Sequence, residues 1–210
     1  MGDIQLTALT LGMNRTNCYL LTNARTKETV IVDPAGDFPA IAKKITGSEL
    51  LPKAVILTHG HFDHIGAAAE TRDAYQIPIY AAAVEKALLA DPNMNGSAMF
   101  GGPITIEADN FVNDNDELSQ AGISISVIAT PGHTAGSVCY HIAGENILLS
   151  GDTLFRGSIG RTDVPTADHA MILHSIKDKL FTLPDTTGAY PGHGEKTSIG
   201  YEKKYNMFFR

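Results

Sequence analysis

The apolar run Ala54-Val55-Ile56-Leu57 passes without a break into Thr58-His59-Gly60-His61-Phe62-Asp63-His64. A short continuous apolar run is the pattern of a strand buried on both faces. Such a strand needs packed layers on either side, which an α/β architecture supplies. Ligand-type residues begin where the run stops, so the chemistry falls at a strand end. Residues two apart in an extended segment point the same way, so His59 and His61 can reach one metal ion together. Asp63 and His64 lie at the turn into the next helix and can face a second centre. Gly60 has no side chain and lets the loop pack tightly. Imidazole and carboxylate donors suit zinc or iron.

One ion needs more ligands than this loop supplies, and three later loops provide them. Thr130-Pro131-Gly132-His133-Thr134, Ser150-Gly151-Asp152-Thr153 and Pro191-Gly192-His193-Gly194 each set one potential ligand beside glycine near a strand end. Packing gives no reason to gather such groups, whereas metal binding does. Two centres about 3.5–4 Å apart fit this set if one carboxylate bridges them. Asp152 is the candidate bridge, because a carboxylate has two oxygens to share. His141, within a strand, and His169 and His174, on a helix, are assigned structural or surface roles.

The rest of the chain reads as two halves of similar plan. Strands are expected over Ile4–Thr10, Cys18–Thr22, Thr29–Val32 and Ala54–Leu57, with a turn at Asp33-Pro34-Ala35-Gly36 and a helix over Phe38–Ile45. A helix over Ile65–Tyr75, a strand over Ile77–Tyr80 and a helix near Val84–Leu89 follow. Asp91-Pro92-Asn93 and Gly101-Gly102-Pro103 bracket a loop-rich middle. In the second half, Ile123, Ile125 and Val127 alternate with serines as a half-buried strand. Further strands are expected over Val138–Ile142, Asn146–Leu149 and Gly188–Tyr190, a helix over Ala167–Leu180, and a short C-terminal helix. No linker divides the chain, so residues 1–210 read as one domain with two sheets face to face and helices outside.

Composition narrows the function classes. A formal net charge of -7 without a basic cluster argues against nucleic acid as a partner. No apolar run approaches the ~20 residues that span a bilayer, and Met1–Gln5 carries no leader pattern. A cytoplasmic protein without membrane association is the expectation. Cys18 and Cys139 each sit in an apolar stretch and read as buried thiols.

The strings THGHFDH, TPGHTAGS, SGDT and PGHG, in that order over residues 58–194, resemble the metallo-β-lactamase superfamily. The resemblance implies an αββα sandwich of two mixed sheets with outer helices. It implies that His59, His61 and His133 bind one metal, that Asp63, His64 and His193 bind a second, and that Asp152 bridges. The stretch Asp152–Asp163 is similar to the glyoxalase II (hydroxyacylglutathione hydrolase) branch in its short form, as is the tail Gly200–Asn206. Too few residues follow His193 for the C-terminal helical domain of the larger enzymes. Arg161 stands where those place a glutathione-contacting lysine and is the expected substrate-binding residue, set against a plain loop salt bridge. Glu195 stands where they place a tyrosine.

The implied reaction is hydrolysis of S-D-lactoylglutathione or a related acyl thioester by a metal-bridging hydroxide, with Asp63 and Asp152 as catalytic residues. Two divalent ions are implied, zinc first, with iron or manganese as alternatives. The implied partner is a small-molecule thioester, and the assembly a monomer or homodimer. Rival readings on the same fold are a mononuclear-iron persulfide dioxygenase, a lactonase, a β-lactamase and a tRNA-processing nuclease.

Overall fold

The computed structural model describes residues 3–100 and 102–210. Met1 and Gly2 of the N-terminal reading, and Gly101 of the Gly101-Gly102-Pro103 loop, lie outside the described residues.

The first half forms β1 (Ile4–Leu11), β2 (Thr16–Asn23), β3 (Glu28–Val32), α1 (Phe38–Gly47), β4 (Leu51–Ile56), α2 (Phe62–Ile65), α3 (Ala68–Tyr75), β5 (Ile79–Ala82), α4 (Lys86–Ala90) and β6 (Asn110–Val112). The second forms β7 (Glu117–Gln120), β8 (Ile123–Ala129), β9 (Val138–Ile142), β10 (Ile147–Gly151), β11 (Leu154–Phe155), β12 (Ser158–Ile159), α5 (His169–Asp178), β13 (Gly188–Pro191), β14 (Thr197–Ser198) and α6 (Ile199–Tyr205). One sheet runs β1-β2-β3-β4-β5-β6, antiparallel up to β3 and parallel beyond it. The other runs β14-β13-β10-β9-β8-β7, antiparallel except for the β10–β13 pair.

The period of two along each strand sorts side chains into layers. On β2, Tyr19 and Leu21 face the second sheet, where they join Val30, Val32 and Ile56 against Ile125, Val127 and Tyr140. Cys18 and Leu20 face the other way, into Ile41 and Ile45 of α1 and Ile65 of α2. On the far side, Ile172 and Ile176 of α5 and Ile199 of α6 cover Cys139, Leu148 and Ala189. Each fully buried aliphatic side chain here contributes about 1.5–3 kcal/mol of transfer free energy. The resulting order of helix, sheet, sheet, helix is the expected αββα sandwich. No described helix is long and apolar enough to cross a membrane.

Four local expectations are corrected. The helix expected over Ile65–Tyr75 is interrupted at Gly66-Ala67, because the Ala67 N–H donates to Pro34 O at 2.8 Å instead of continuing the helical ladder. The helix near Val84 opens as a 3₁₀ turn, Ala83–Glu85, before α4. Strands β6 and β7 were not expected, since exposed Asn110, Phe111 and Glu117 obscure their alternation. The helix expected over Ala167–Leu180 begins at His169, where the Asp168 side chain accepts from Met171 N.

Candidate metal centre

The site lies along one rim where the two sheets meet. His59, His61, Asp63 and His64 follow β4 of the first sheet. His133 precedes β9, Asp152 follows β10 and His193 follows β13, all of the second sheet. All seven predicted residues converge. His59, His61 and His133 bring one donor atom each within 4.8 Å of one another, as do Asp63, His64 and His193, and also His59, His64 and Asp152. Asp152 stands between the first two trios. Its Oδ1 is 3.3 Å from His64 Nε2, and its Oδ2 is 3.5 Å from both His133 Nε2 and His193 Nε2.

Hydrogen bonds on the outer side of the rings fix which nitrogen faces inward. His133 Nδ1 lies 2.8 Å from Arg161 O. A carbonyl only accepts, so Nδ1 carries the proton and Nε2 presents its lone pair. His64 Nδ1 likewise donates to Asp33 Oδ2 at 2.9 Å. Thr58 Oγ1 donates to Asp33 Oδ2 at 2.6 Å, so its lone pair receives His59 Nδ1–H at 3.1 Å. Asp33 therefore sets the tautomer of His64 directly and of His59 through Thr58. Asp63 Oδ2, the oxygen 3.3 Å from His193 Nε2, accepts from Asn14 Nδ2 at 3.0 Å and Thr16 Oγ1 at 3.3 Å.

Electrostatics follow from this crowding. Burial, with the neighbouring His64, His133 and His61, holds His59 well below the usual imidazole range. Burial and the His133 and His64 rings bring His61 down to about 3. His64 and His193 go the other way. Burial disfavours their charge, yet the Asp152 and Asp33 carboxylates raise His64, and Asp152 and Asp63 raise His193 to about 9. Asp63 is held well below the carboxylate range against burial, chiefly by His193 and His64.

The donor set fits cations. His59 Nε2 is buried without a hydrogen-bond partner, and His64 Nε2 and Asp152 Oδ1, buried 3.3 Å apart, do not meet with hydrogen-bond geometry. Buried polar atoms are ordinarily satisfied, and these orphans all point into the cluster. Gly192 keeps the cradle open, since a Cβ there would strike Asp152 Oδ1 and the His64 ring. The cluster can therefore hold metal ions.

A cleft of about 880 Å³ opens onto this rim. One wall is apolar, with Phe62 and Phe100 stacked at 5.0 Å and 8° between planes, and with Met94 and Met99 beside them. Arg161 also lines the cleft, and its guanidinium makes a two-pronged pair with Asp163 at 2.7 and 2.9 Å. It thus makes the loop salt bridge that was the alternative for it, at the edge of the cleft. Glu195 pairs with Arg156 at 2.8 Å. His169 and His174 are exposed on α5, and His141 is half-buried on β9, away from the cluster. Burial pushes the Cys18 thiol up, and the Cys139 thiol up to about 11, in keeping with inert core cysteines.

Residues 11–193 match the Metallo-beta-lactamase superfamily. The chain belongs to this superfamily. Among curated superfamily relatives, the probable metallo-hydrolase YqgX of Bacillus subtilis is 39% identical over 200 residues, with 94% of each chain covered. The hydroxyacylglutathione hydrolase GloC of Haemophilus influenzae is 33% identical, with 91% of this chain and 92% of that one covered. Among solved superfamily structures, BLEG-1 B3 metallo-beta-lactamase superposes with a TM-score of 0.93 at 43% identity, covering 98% and 99% of the two chains. TTHA1623 in a di-iron-bound form gives 0.87 at 32% identity, covering 96% and 99%. ETHE1 from Myxococcus xanthus gives 0.81 at 28% identity, covering 97% and 83%. The chain is a metal-dependent hydrolase of the metallo-β-lactamase superfamily.

Sequence reasoning missed Asp33, Thr58 and Glu85. Glu85 is buried in the 3₁₀ turn before α4 and accepts from Gly60 N, Thr134 Oγ1 and Gly136 N.

Proposed function

We propose that the protein hydrolyses an acyl thioester, S-D-lactoylglutathione or a close relative, at a pair of divalent ions. The observation that carries the two-ion reading is the position of Asp152, with one oxygen towards His64 and the other towards both His133 and His193. His59, His61 and His133 would hold one ion, Asp63, His64 and His193 the other, and Asp152 both. Zinc suits these nitrogen and oxygen donors, and the di-iron form of TTHA1623 makes iron the alternative. When bound, such a pair supplies Lewis acidity and brings the ionisation of water down to about neutral pH.

The chain's own residues do the rest. Asp63, with Oδ2 fixed by Asn14 and Thr16, orients the attacking water. Water adds to the acyl carbon, the C–S bond breaks, and the products are the acid and the thiol. Phe62 and Phe100 give the bound acyl or thiol chain an apolar wall. Arg161, at the edge of the cleft, contacts the polar end of the substrate. The similarity to GloC, named a hydroxyacylglutathione hydrolase, supports the thioester. A β-lactam amide is a second reading, supported by the similarity to BLEG-1.

The test combines metal analysis with a substrate panel. S-lactoylglutathione, other acyl thioesters, a lactone and a cephalosporin are followed for hydrolysis, and glutathione persulfide for oxygen uptake. Two ions per chain and fastest turnover of a thioester are expected. One iron per chain with oxygen consumption on the persulfide would overturn the reading, as would a cephalosporin turned over faster than every thioester.

A further inference from the structure

Glu85 is a carboxylate 2% exposed with no cation among its partners. Its Oε2 accepts from Gly60 N at 2.7 Å. Its Oε1 accepts from Thr134 Oγ1 at 2.9 Å and Gly136 N at 2.8 Å. Gly60 lies between His59 and His61, and Thr134 follows His133. One side chain therefore grips both loops that carry the first trio, and those loops belong to different sheets. Burying a charge is unfavourable unless donors surround it, and here three donors do so.

The glycines show that the contact is built. A Cβ on Gly136 would lie 2.6 Å from Glu85 Oε1 and 2.9 Å from its backbone N. A Cβ on Gly60 would lie 2.6 Å from Leu88 Cδ2, on the helix that follows Glu85. Both glycines leave the room that lets the Ala83–Ala90 segment press against the ligand loops. The second trio is braced differently. His64 leans on Asp33, and Asp63 on Asn14 and Thr16. None of those contacts involves Glu85.

We infer that Glu85 is a positioning residue that fixes the spacing of His59 and His61 against His133, and so governs retention of one of the two ions without governing the other. This rests on the two-ion reading of the site. A glutamine at 85 has the same shape but turns an amide NH₂ towards an N–H or hydroxyl donor, so at least one loop is released.

The experiment uses the full-length zinc-loaded protein and a graded chelator. Two imidazole N–H protons serve as reporters by nitrogen-correlated NMR, His133 Nδ1–H on Arg161 O for the first trio and His64 Nδ1–H on Asp33 for the second. In Glu85→Gln, the His133 signal should change to its zinc-free form at about tenfold or more lower free zinc than in wild type, the scale seen when an outer partner of a ligand is lost. The His64 signal should keep the wild-type midpoint. Thr134→Val, which removes one donor and spares the carboxylate, should move the same signal in the same direction by less, and Thr134→Ser should restore it. Glu85→Gln folded with both midpoints unchanged, or with both shifted equally, would overturn the inference. If Glu85→Gln does not fold, an unchanged His133 midpoint in Thr134→Val overturns it. Wild type that takes up fewer than two zinc ions instead sinks the two-ion reading, and is seen before any variant is made.

Discussion

His64 Nδ1 donates to Asp33 Oδ2 at 2.9 Å, and both side chains are buried. The same oxygen takes the Thr58 hydroxyl, so one carboxylate holds His64 and His59 in the tautomers that present Nε2 inward. Asp33→Asn keeps the volume and loses the charge. Zinc affinity or kcat/KM should fall about 10- to 100-fold, the range for losing a carboxylate behind a ligating histidine. Chelator competition together with thioester kinetics checks it, and wild-type values in both would refute it.

Asp152→Ala should abolish hydrolysis and metal retention together, because Asp152 reaches both trios with its two oxygens. Full activity in that variant would sink the two-ion mechanism. Gly192→Ala approaches the same point from the backbone, since the new methyl would strike Asp152 Oδ1 and His64. It should reduce metal content measured by atomic emission while circular dichroism stays native.

Phe100 is half-exposed and stacks on Phe62 at the mouth of the cleft. Aromatic contacts of this kind contribute about 0.5–1.5 kcal/mol beyond buried area. Phe100→Ala should therefore raise KM for an aromatic or long-chain thioester about three- to tenfold and leave kcat in place. An equal loss in kcat with KM unmoved would place Phe100 in the chemistry rather than in binding.

The seven candidate ligands were legible because each follows an apolar strand in a glycine-bearing segment, and His59 through His64 are adjacent in the chain. Layering was legible from the apolar run at Ala54–Leu57 and the alternation at Ile123–Val127. The supporting carboxylates were not. Asp33 precedes a proline and reads as a turn residue, while Glu85 beside Lys86 reads as a solvated helix start. Their partners lie 25 to 51 positions away, at Thr58, Gly60, His64, Thr134 and Gly136. Local pattern carries no record of such pairings. Ala67, whose N–H turns to Pro34 O, breaks a helix for the same reason.

Asp114 gives a pH-dependent contribution far from the centre. Burial pushes its carboxyl up, but Lys179 Nζ at 2.7 Å and Ala129 N at 2.8 Å bring it below the usual range. A depressed carboxyl stabilises the fold above its unfolded pKa of about 3.9, and that stabilisation is lost as pH falls through the folded value. The pair is partly exposed, so screening limits it to about 0.5–1 kcal/mol. Wild type should melt about 1–4 °C above Asp114→Asn at neutral pH, and the gap should close in acid. A gap that widens on acidification would refute the sign.

The His59–His61–His133 and Asp63–His64–His193 trios each draw two residues from the segment after β4 and one from the opposite sheet. An ion seated on either is bonded to both layers at once. Its departure then requires bonds to both layers to break. Where the layers must part for the ion to leave, metal exchange keeps pace with amide exchange in β4 and β9, and timing one against the other reads how often the sandwich breathes open along that rim.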